Sequence, residues 1–411
     1  MKKPAPAAAP QTPHTLLLLL LLILIFPAKA VAQLSFSGEA VLGVTVLPAW
    51  PYDSRRFDSP VNPGGTADLQ DLSLDYGLDA RLAGGDGKAD FRFRLIFAPA
   101  ELPQVLRAHA GWRIRDGFWL RLGRQSLLTG YGYGWNPMDF ANPLKDPADP
   151  AQELQGVDAL SVLASPGSFF TMKLTGIYRP QDFSAGIDYE DLQAALELTL
   201  ALPAFELKLT GFYDYDEHEG EDAYVPAAGA GLMLDIAGIG VYAEAALQKG
   251  SRIYSPQFAV PGRETGWLFS GLAGLQYVFI SETSVTAEFF FNGEGLGRTE
   301  RELYANRLKA LDVYFPDWLS VYRPGYFART YLLVDLRQPV YVWNLEAGLA
   351  CILSPDSGAL SVLPSLSFDI TGALTVNLSY SGLFSLKEDE VDEARLAPAP
   401  HSLRCEARYS Y

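Results

Sequence analysis

The strictest pattern in this chain repeats every two residues. At the carboxyl end Leu403, Cys405, Ala407, Tyr409 and Tyr411 alternate with Ser402, Arg404, Glu406, Arg408 and Ser410. Leu72, Leu74, Tyr76, Leu78, Ala80 and Leu82 alternate in the same way with Ser73, Asp75, Gly77, Asp79 and Arg81. Beyond the Gly84-Gly85-Asp86-Gly87 turn, Ala89, Phe91, Phe93, Leu95 and Phe97 alternate with Asp90, Arg92 and Arg94. A helix places like residues 3.6 apart and a strand places them 2 apart. Each segment therefore reads as a strand with one apolar face and one polar face.

Carried along the chain, the period gives about eighteen strands. They fall near 34–47, 71–83, 89–97, 105–114, 118–125, 156–164, 169–178, 192–202, 205–213, 228–236, 239–248, 266–279, 284–292, 328–336, 341–353, 359–370, 373–384 and 402–411. The joins between them alternate short and long. Those near 115–117, 203–204, 237–238 and 371–372 are short, and those near 48–70, 126–155, 179–191, 214–227, 249–265, 293–327 and 385–401 are long. An even strand count with short turns at one end and long loops at the other is the pattern of an outer-membrane barrel. The outward positions read as uncharged, as a lipid-facing surface requires, since a charge there costs about 2–4 kcal/mol near the midplane. The expected fold is thus all-β: a transmembrane antiparallel up-and-down β-barrel.

The first thirty-two residues read as a signal peptide. Lys2 and Lys3 precede an unbroken apolar run from Leu16 to Phe26, and Ala30-Val31-Ala32 offers small residues before a cut at Gln33; Ala28-Lys29-Ala30 is the alternative site. The apolar run is too short to span a bilayer as a helix. Residues 33–411 are then the barrel, exported to the outer membrane of a Gram-negative-type envelope.

Composition fits and excludes. Only 19% of residues are charged, against roughly 25% in ordinary globular chains, while 49% are apolar and 12% aromatic. That mixture is too apolar for disorder. A net charge of −16 argues against nucleic acid as a partner, because such binding needs a basic face. Cys351 and Cys405 are too few for a disulfide framework or a zinc module. His109, His218 and His401 have no ligand spacing, and no phosphate loop is present. The acidic run Asp214–Asp222 reads as a solvated loop. No metal, cofactor or enzymatic role is expected.

The polar parity names candidate pore-lining residues. Arg92, Arg94, Arg107, Arg113 and Arg121 fall on strands three to five, while Glu197, Glu206, Glu244, Glu288 and Glu346 fall on later strands. A cationic wall facing an acidic one would orient polar solutes crossing the pore. The connection from Ser126 to Gln155 is dense in glycine, aromatics and proline, so it is compact. Folded inward, it would form a constriction through Tyr131, Tyr133, Trp135, Asn136 and Asp139. In the longest loop, Arg298–Leu311 reads as an amphipathic helix with Leu303, Leu308 and Leu311 on one side, followed by Phe315, Trp318, Tyr322 and Tyr326.

Gly123-Arg124-Gln125, then Gly132–Gly134 and Asn136-Pro137-x-Asp139-x-x-Asn142-Pro143, resembles a motif of bacterial outer-membrane porin-like barrels of the alginate-export type. The resemblance covers about twenty-five residues and implies an eighteen-stranded channel. Members of that type have a strongly cationic lumen, whereas this chain has a mixed one. The aromatic-ended last strand is similar to those that the barrel-assembly machinery recognises, with Tyr409 and Tyr411 matching. The expected role is a porin-like channel for small polar solutes or oligomeric substrates, surrounded by outer-membrane lipid. The alternative is a closed barrel acting as an adhesin or receptor through its loops.

Overall fold

The structure of the protein is a computed structural model. It describes residues 31–46, 70–84, 89–97, 104–179, 191–218, 221–258, 260–310, 314–387, 391–397 and 400–410, with backbone only for 31–97 and 215–224 apart from Leu42 and Arg92. Eighteen strands run in chain order: β1 (Val31–Val46), β2 (Gln70–Gly84), β3 (Ala89–Phe97), β4 (Gln104–Arg115), β5 (Phe118–Gln125), β6 (Val157–Ala164), β7 (Phe170–Tyr178), β8 (Leu192–Leu202), β9 (Phe205–His218), β10 (Glu221–Ile236), β11 (Ile239–Lys249), β12 (Trp267–Val278), β13 (Ser284–Phe291), β14 (Thr330–Val340), β15 (Leu345–Leu353), β16 (Ala359–Thr371), β17 (Leu374–Ser385) and β18 (His401–Ser410).

Each strand pairs antiparallel with its neighbours in sequence. Val41 of β1 stands opposite both Asp75 of β2 and Arg408 of β18, so the hydrogen-bonded ring closes on itself. The expected signal peptide lies outside the described residues but for its last two, and β1 begins at Val31, two residues ahead of the expected mature start.

The register decides which face is which. On β11, Tyr242, Glu244 and Ala246 are buried, while Ala243, Ala245 and Leu247 between them are exposed. On β14, Tyr331, Leu333 and Asp335 are buried, while Leu332, Val334 and Leu336 are exposed. Leu174, Leu209, Phe289 and Leu403 continue the exposed apolar surface on other strands. Carboxylates thus point inward and aliphatics outward, the reverse of a barrel stable in water.

Three readings of the sequence need correction. The segment 214–227 is not a long loop: β9 and β10 pair as far as His218 and Glu221, and residues 219–220 join them. The alternation simply continues through Tyr213 and Tyr215, although acids crowd the other parity. The outward parity is also not free of charge. Arg124 and Asp158 stand opposite one another on the face that carries exposed Leu122 and Leu160. Their bidentate pair, Nε–Oδ1 3.0 Å and Nη2–Oδ2 2.6 Å, sits at the long-loop end of the strands, where each charge meets its partner. Finally, Tyr341–Trp343 form a 3-10 turn rather than the start of β15.

The long loops pack into a cap. Helix α1 (Arg298–Ala310) buries Arg301, Tyr304, Ala305 and Leu308, one helical face. Leu303 is exposed, so that face is rotated from the expected one. The Arg301 guanidinium ties three loops together, donating to Leu296 O, Val391 O and Asp356 O. Buried Trp318 on α2 (Phe315–Leu319) joins Tyr304, Leu308 and Phe327, and Leu396 of α3 (Glu393–Leu396) completes the cluster.

Candidate functional site

The loop between β5 and β6 is seated inside the barrel. Its grip is unusual in kind. Four consecutive backbone N–H groups donate to two carboxylates on the inner wall. Tyr131 and Gly132 donate to Oε1 of Glu244, the latter at 2.9 Å. Tyr133 and Gly134 donate to Oε1 and Oε2 of Glu288 at 2.5 and 2.8 Å. The Tyr242 hydroxyl donates to the same Glu288 Oε1 at 2.6 Å. A buried carboxylate costs little once N–H donors fill its lone pairs, and these donors are otherwise orphaned in a loop.

The glycines make this approach possible. Gly130 has φ +113°, and a Cβ there would lie 2.8 Å from Glu244 Oε1. On the wall opposite, a Cβ on Gly231 of β10 would lie 2.8 Å from Met138 Sδ and 3.0 Å from the Tyr131 ring. A side chain at either place would lift the loop from the wall.

The side chains extend the seam. Thr129 Oγ1 donates to Glu197 Oε2 at 3.0 Å and Tyr131 OH to Glu206 Oε1 at 2.9 Å. Lys208 lies 4.7 Å from the Tyr131 ring centroid. Tyr133 OH donates to Asp335 Oδ2 at 3.1 Å and accepts from Arg337 Nη2 at 2.7 Å. Burial first, then Asp335, push the Tyr133 phenol up to about 12 against the pull of Arg337. Trp135 is fully buried, stacked 5.2 Å from Phe290, and donates through Nε1 to Gly325 O at 2.9 Å. Lys145 donates to Gly132 O at 3.3 Å, and its pKa is lowered by burial, against the pull of Glu288 and Glu244.

The motif around the loop has a structural account. The Asp139 carboxylate accepts from Asn142 N and Nδ2 at 3.1 and 2.9 Å, and Asn142 Oδ1 accepts from Leu127 N at 3.2 Å. This closes the loop on itself. Buried Gln125 donates to Ala159 O at 3.0 Å and accepts from Ser161 Oγ at 3.1 Å. Glu153, on the returning arm, pairs with Arg107 at 2.5 Å.

The expected site residues therefore separate into groups. Tyr131, Tyr133 and Trp135 meet the wall, Asp139 serves the loop's own closure, and Asn136 turns the backbone into it through Asp139 N→Asn136 O at 3.0 Å. Glu244 and Glu288 are buried beneath the loop, 4% and 3% exposed, so they hold its backbone instead of facing an open lumen. Glu197 and Glu206 accept from loop hydroxyls, and Glu346 pairs with Arg337 at 3.4 Å. On the other side Arg92 and Arg121 are exposed, and Arg113 packs over the Trp119 ring at 5.7 Å. The Arg94 side chain lies outside the described residues. On β16 and β17, Ser365 pairs with Ser379, Ser367 with Asn377 and Asp369 with Thr375, whose hydroxyl donates to Asp369 Oδ1 at 2.8 Å. Tyr242, Lys145, Lys208, Arg337 and Gly231 were not singled out from the sequence. The inward parity of Tyr242, two residues from Glu244, is the signal that was there to read.

A solved structure of OccAB1 from Acinetobacter baumannii matches with a TM-score of 0.55 at 9% identity, covering 93% of this chain and 97% of that one. The chain shares the fold of that structure. OmpF of Salmonella typhi, solved with daunomycin, matches at 10% identity over 94% and 99% of the two chains with a TM-score of 0.48. A mutant Rh. blastica porin matches at 10% identity over 92% and 100%, also at 0.48. No family model and no curated protein matches the sequence.

Proposed function

We propose that the chain is an outer-membrane channel for small polar solutes, narrowed by the 126–156 loop. The observation that carries this reading is the grip of Glu244 and Glu288 on four successive loop amides. A loop held inside by its backbone constricts a barrel without filling it. It also covers the acids of β8 to β14, while Arg92 on β3 and Arg121 on β5 are exposed. The exposed leucines and phenylalanines suit a lipid surround, and β18 is the strand that the assembly machinery would engage. The porin-like fold favours a channel. The alginate-export resemblance concerns residues that close and anchor the loop, and it names no solute.

The adhesin reading is less favoured. Of the loop aromatics that could stack a ligand, Trp318 is buried in the cap and Phe315 and Tyr322 are packed against it. Planar-bilayer recording tests the proposal. Discrete ion currents are expected. A folded, inserted protein that passes no current overturns it.

A further inference from the structure

Between the returning arm of the seated loop, the cap and the inner wall of β14 to β17 lies a cavity of about 800 Å³, its open mouth included. That is the size of a small-molecule site. Gly325 shapes one corner of it. Its φ is +74°, and a Cβ there would lie 2.3 Å from Pro147 Cγ, so glycine lets the 324–325 turn close on the loop. Two hydrogen bonds hold that closure, Trp135 Nε1 to Gly325 O and Tyr326 OH to Lys145 O, both at 2.9 Å. Tyr322, Tyr331, Ile352 and Leu383 are the largest apolar members of the walls.

The charge on these walls has one sign. Asp146 of the loop and Glu393 of α3 line the cavity, and among the described residues no lysine, arginine or histidine does. Asp146 is exposed; its Oδ1 accepts from Ala148 N at 2.9 Å, and its Oδ2 takes no donor from the described residues. The neighbouring Lys145 turns away, donating to Gly132 O at 3.3 Å. Glu393 is buried, and its two oxygens accept from Tyr331 OH and from Gly325 N. Burial raises its carboxyl to about 7 against those donors. It has hydrogen bonds but no counter-charge, whereas a buried acid is ordinarily paired. Ser361 and Ser381 add wall hydroxyls that bond to none of the described residues. Apolar walls, free acceptors and uncompensated negative charge leave one thing missing, a positive group.

We infer that this cavity takes a small organic cation, an ammonium group on an apolar body, with Asp146 accepting from the ammonium and Tyr322, Tyr331, Ile352 and Leu383 covering the body. Glu393 adds negative charge from behind the wall, so an organic anion is repelled. The inference rests on the channel reading for its purpose, since it names a solute class, but not for its test.

2-Phenylethylamine is titrated by calorimetry into the full-length detergent-solubilised protein at pH 8, against a blank of detergent alone. Saturable binding is expected. Three analogues are each expected to bind about tenfold or more weakly: 2-phenylethanol has the body without the charge, 3-phenylpropionate has the opposite charge, and methylamine has the charge without the body. Asp146→Asn keeps the Oδ1 acceptor for Ala148 N. It is expected to weaken the amine by about tenfold, as for loss of a charge-assisted hydrogen bond, while its melting temperature stays that of the wild type. Asp116→Asn, exposed at the β4–β5 turn, leaves binding unchanged. If the amine does not saturate, if any analogue binds as tightly, or if Asp146→Asn binds as wild type does, the site is overturned. Bilayer recording on the same preparation separates the two readings. Binding without current sinks the channel and spares the site, and current without binding does the reverse.

Discussion

Between β8 and β14 the inner wall carries Glu197, Glu206, Glu244, Glu288 and Asp335, and the 126–156 loop covers it. From β16 round through β18 to β5 the inward residues mix both signs: Asp369 and Glu406 stand among Ser365, Ser367, Asn377, Arg404, Arg107 and Arg121, and the loop reaches this side through the Glu153–Arg107 pair. On the first side the acids are spent on the loop, whereas on the second the charges meet charges, as Arg404 meets Glu406 and Arg107 meets Glu153. The difference lies in the donors available. Carboxylates can be satisfied by backbone N–H groups, which any glycine-rich loop supplies. A guanidinium needs acceptors in a planar fork, which on the second side come from carboxylates such as Glu153 and Glu406.

The largest expected effect comes from breaking the covered half. Glu244→Ala with Glu288→Ala strands four loop amides, each at a cost of roughly 1–3 kcal/mol if it stays buried. The loop should leave the wall, and single-channel conductance should rise severalfold. Unchanged conductance would mean that the loop does not set the constriction. Trp135→Ala comes next. Emptying its slot between Phe290 and Tyr331 should destabilise the seated loop by about 3–5 kcal/mol, seen as faster proteolysis within 126–156 while the barrel stays folded.

The open half is probed by charge. Arg92→Glu with Arg121→Glu should shift the reversal potential in a salt gradient toward cations; no shift would place the selectivity elsewhere. The smallest effect concerns the cap. Burial raises the Glu393 carboxyl from 4.5 to about 7, against hydrogen bonds from Tyr331 OH and Gly325 N. Its folded pKa exceeds the unfolded one, so the folded cap binds the proton more tightly. The resulting stabilisation is present below pH 4.5 and is lost as pH rises through about 7. Hydrogen exchange at 322–328 should therefore quicken between pH 5 and pH 8, and Glu393→Gln should flatten that dependence.

Much of the barrel was legible because a strand's two faces are written locally. Alternation at Leu403–Tyr411 or Leu72–Leu82 needs no distant partner to be seen. It misled where composition outweighed period, as at Asp214–Asp222, where acids suggested a loop and the pairing continued, and where apolar residues ran past a strand end, as at the Tyr341–Trp343 turn. The compact 126–155 segment was also visible, since glycine, proline and aromatics at that density restrict the backbone. What was not legible is who meets whom. Glu244 reads as a pore-lining acid on parity alone, and only its placement beneath Tyr131 and Gly132 makes it an anchor. Arg301 could not be found by hydrophobic periodicity, because it is a charged residue buried for the three carbonyls it satisfies.

The loop's anchors lie far along the chain: Glu288 is 155 residues beyond Tyr133, and Arg337 is 204 beyond it. The seat for the loop is therefore unfinished until β14 has joined the sheet, and the ring closes only when β18 meets β1. A loop still outside at closure would have to enter through the mouth, past the cap that Arg301 and Trp318 lock. A loop seated before closure would have its place fixed while the barrel forms.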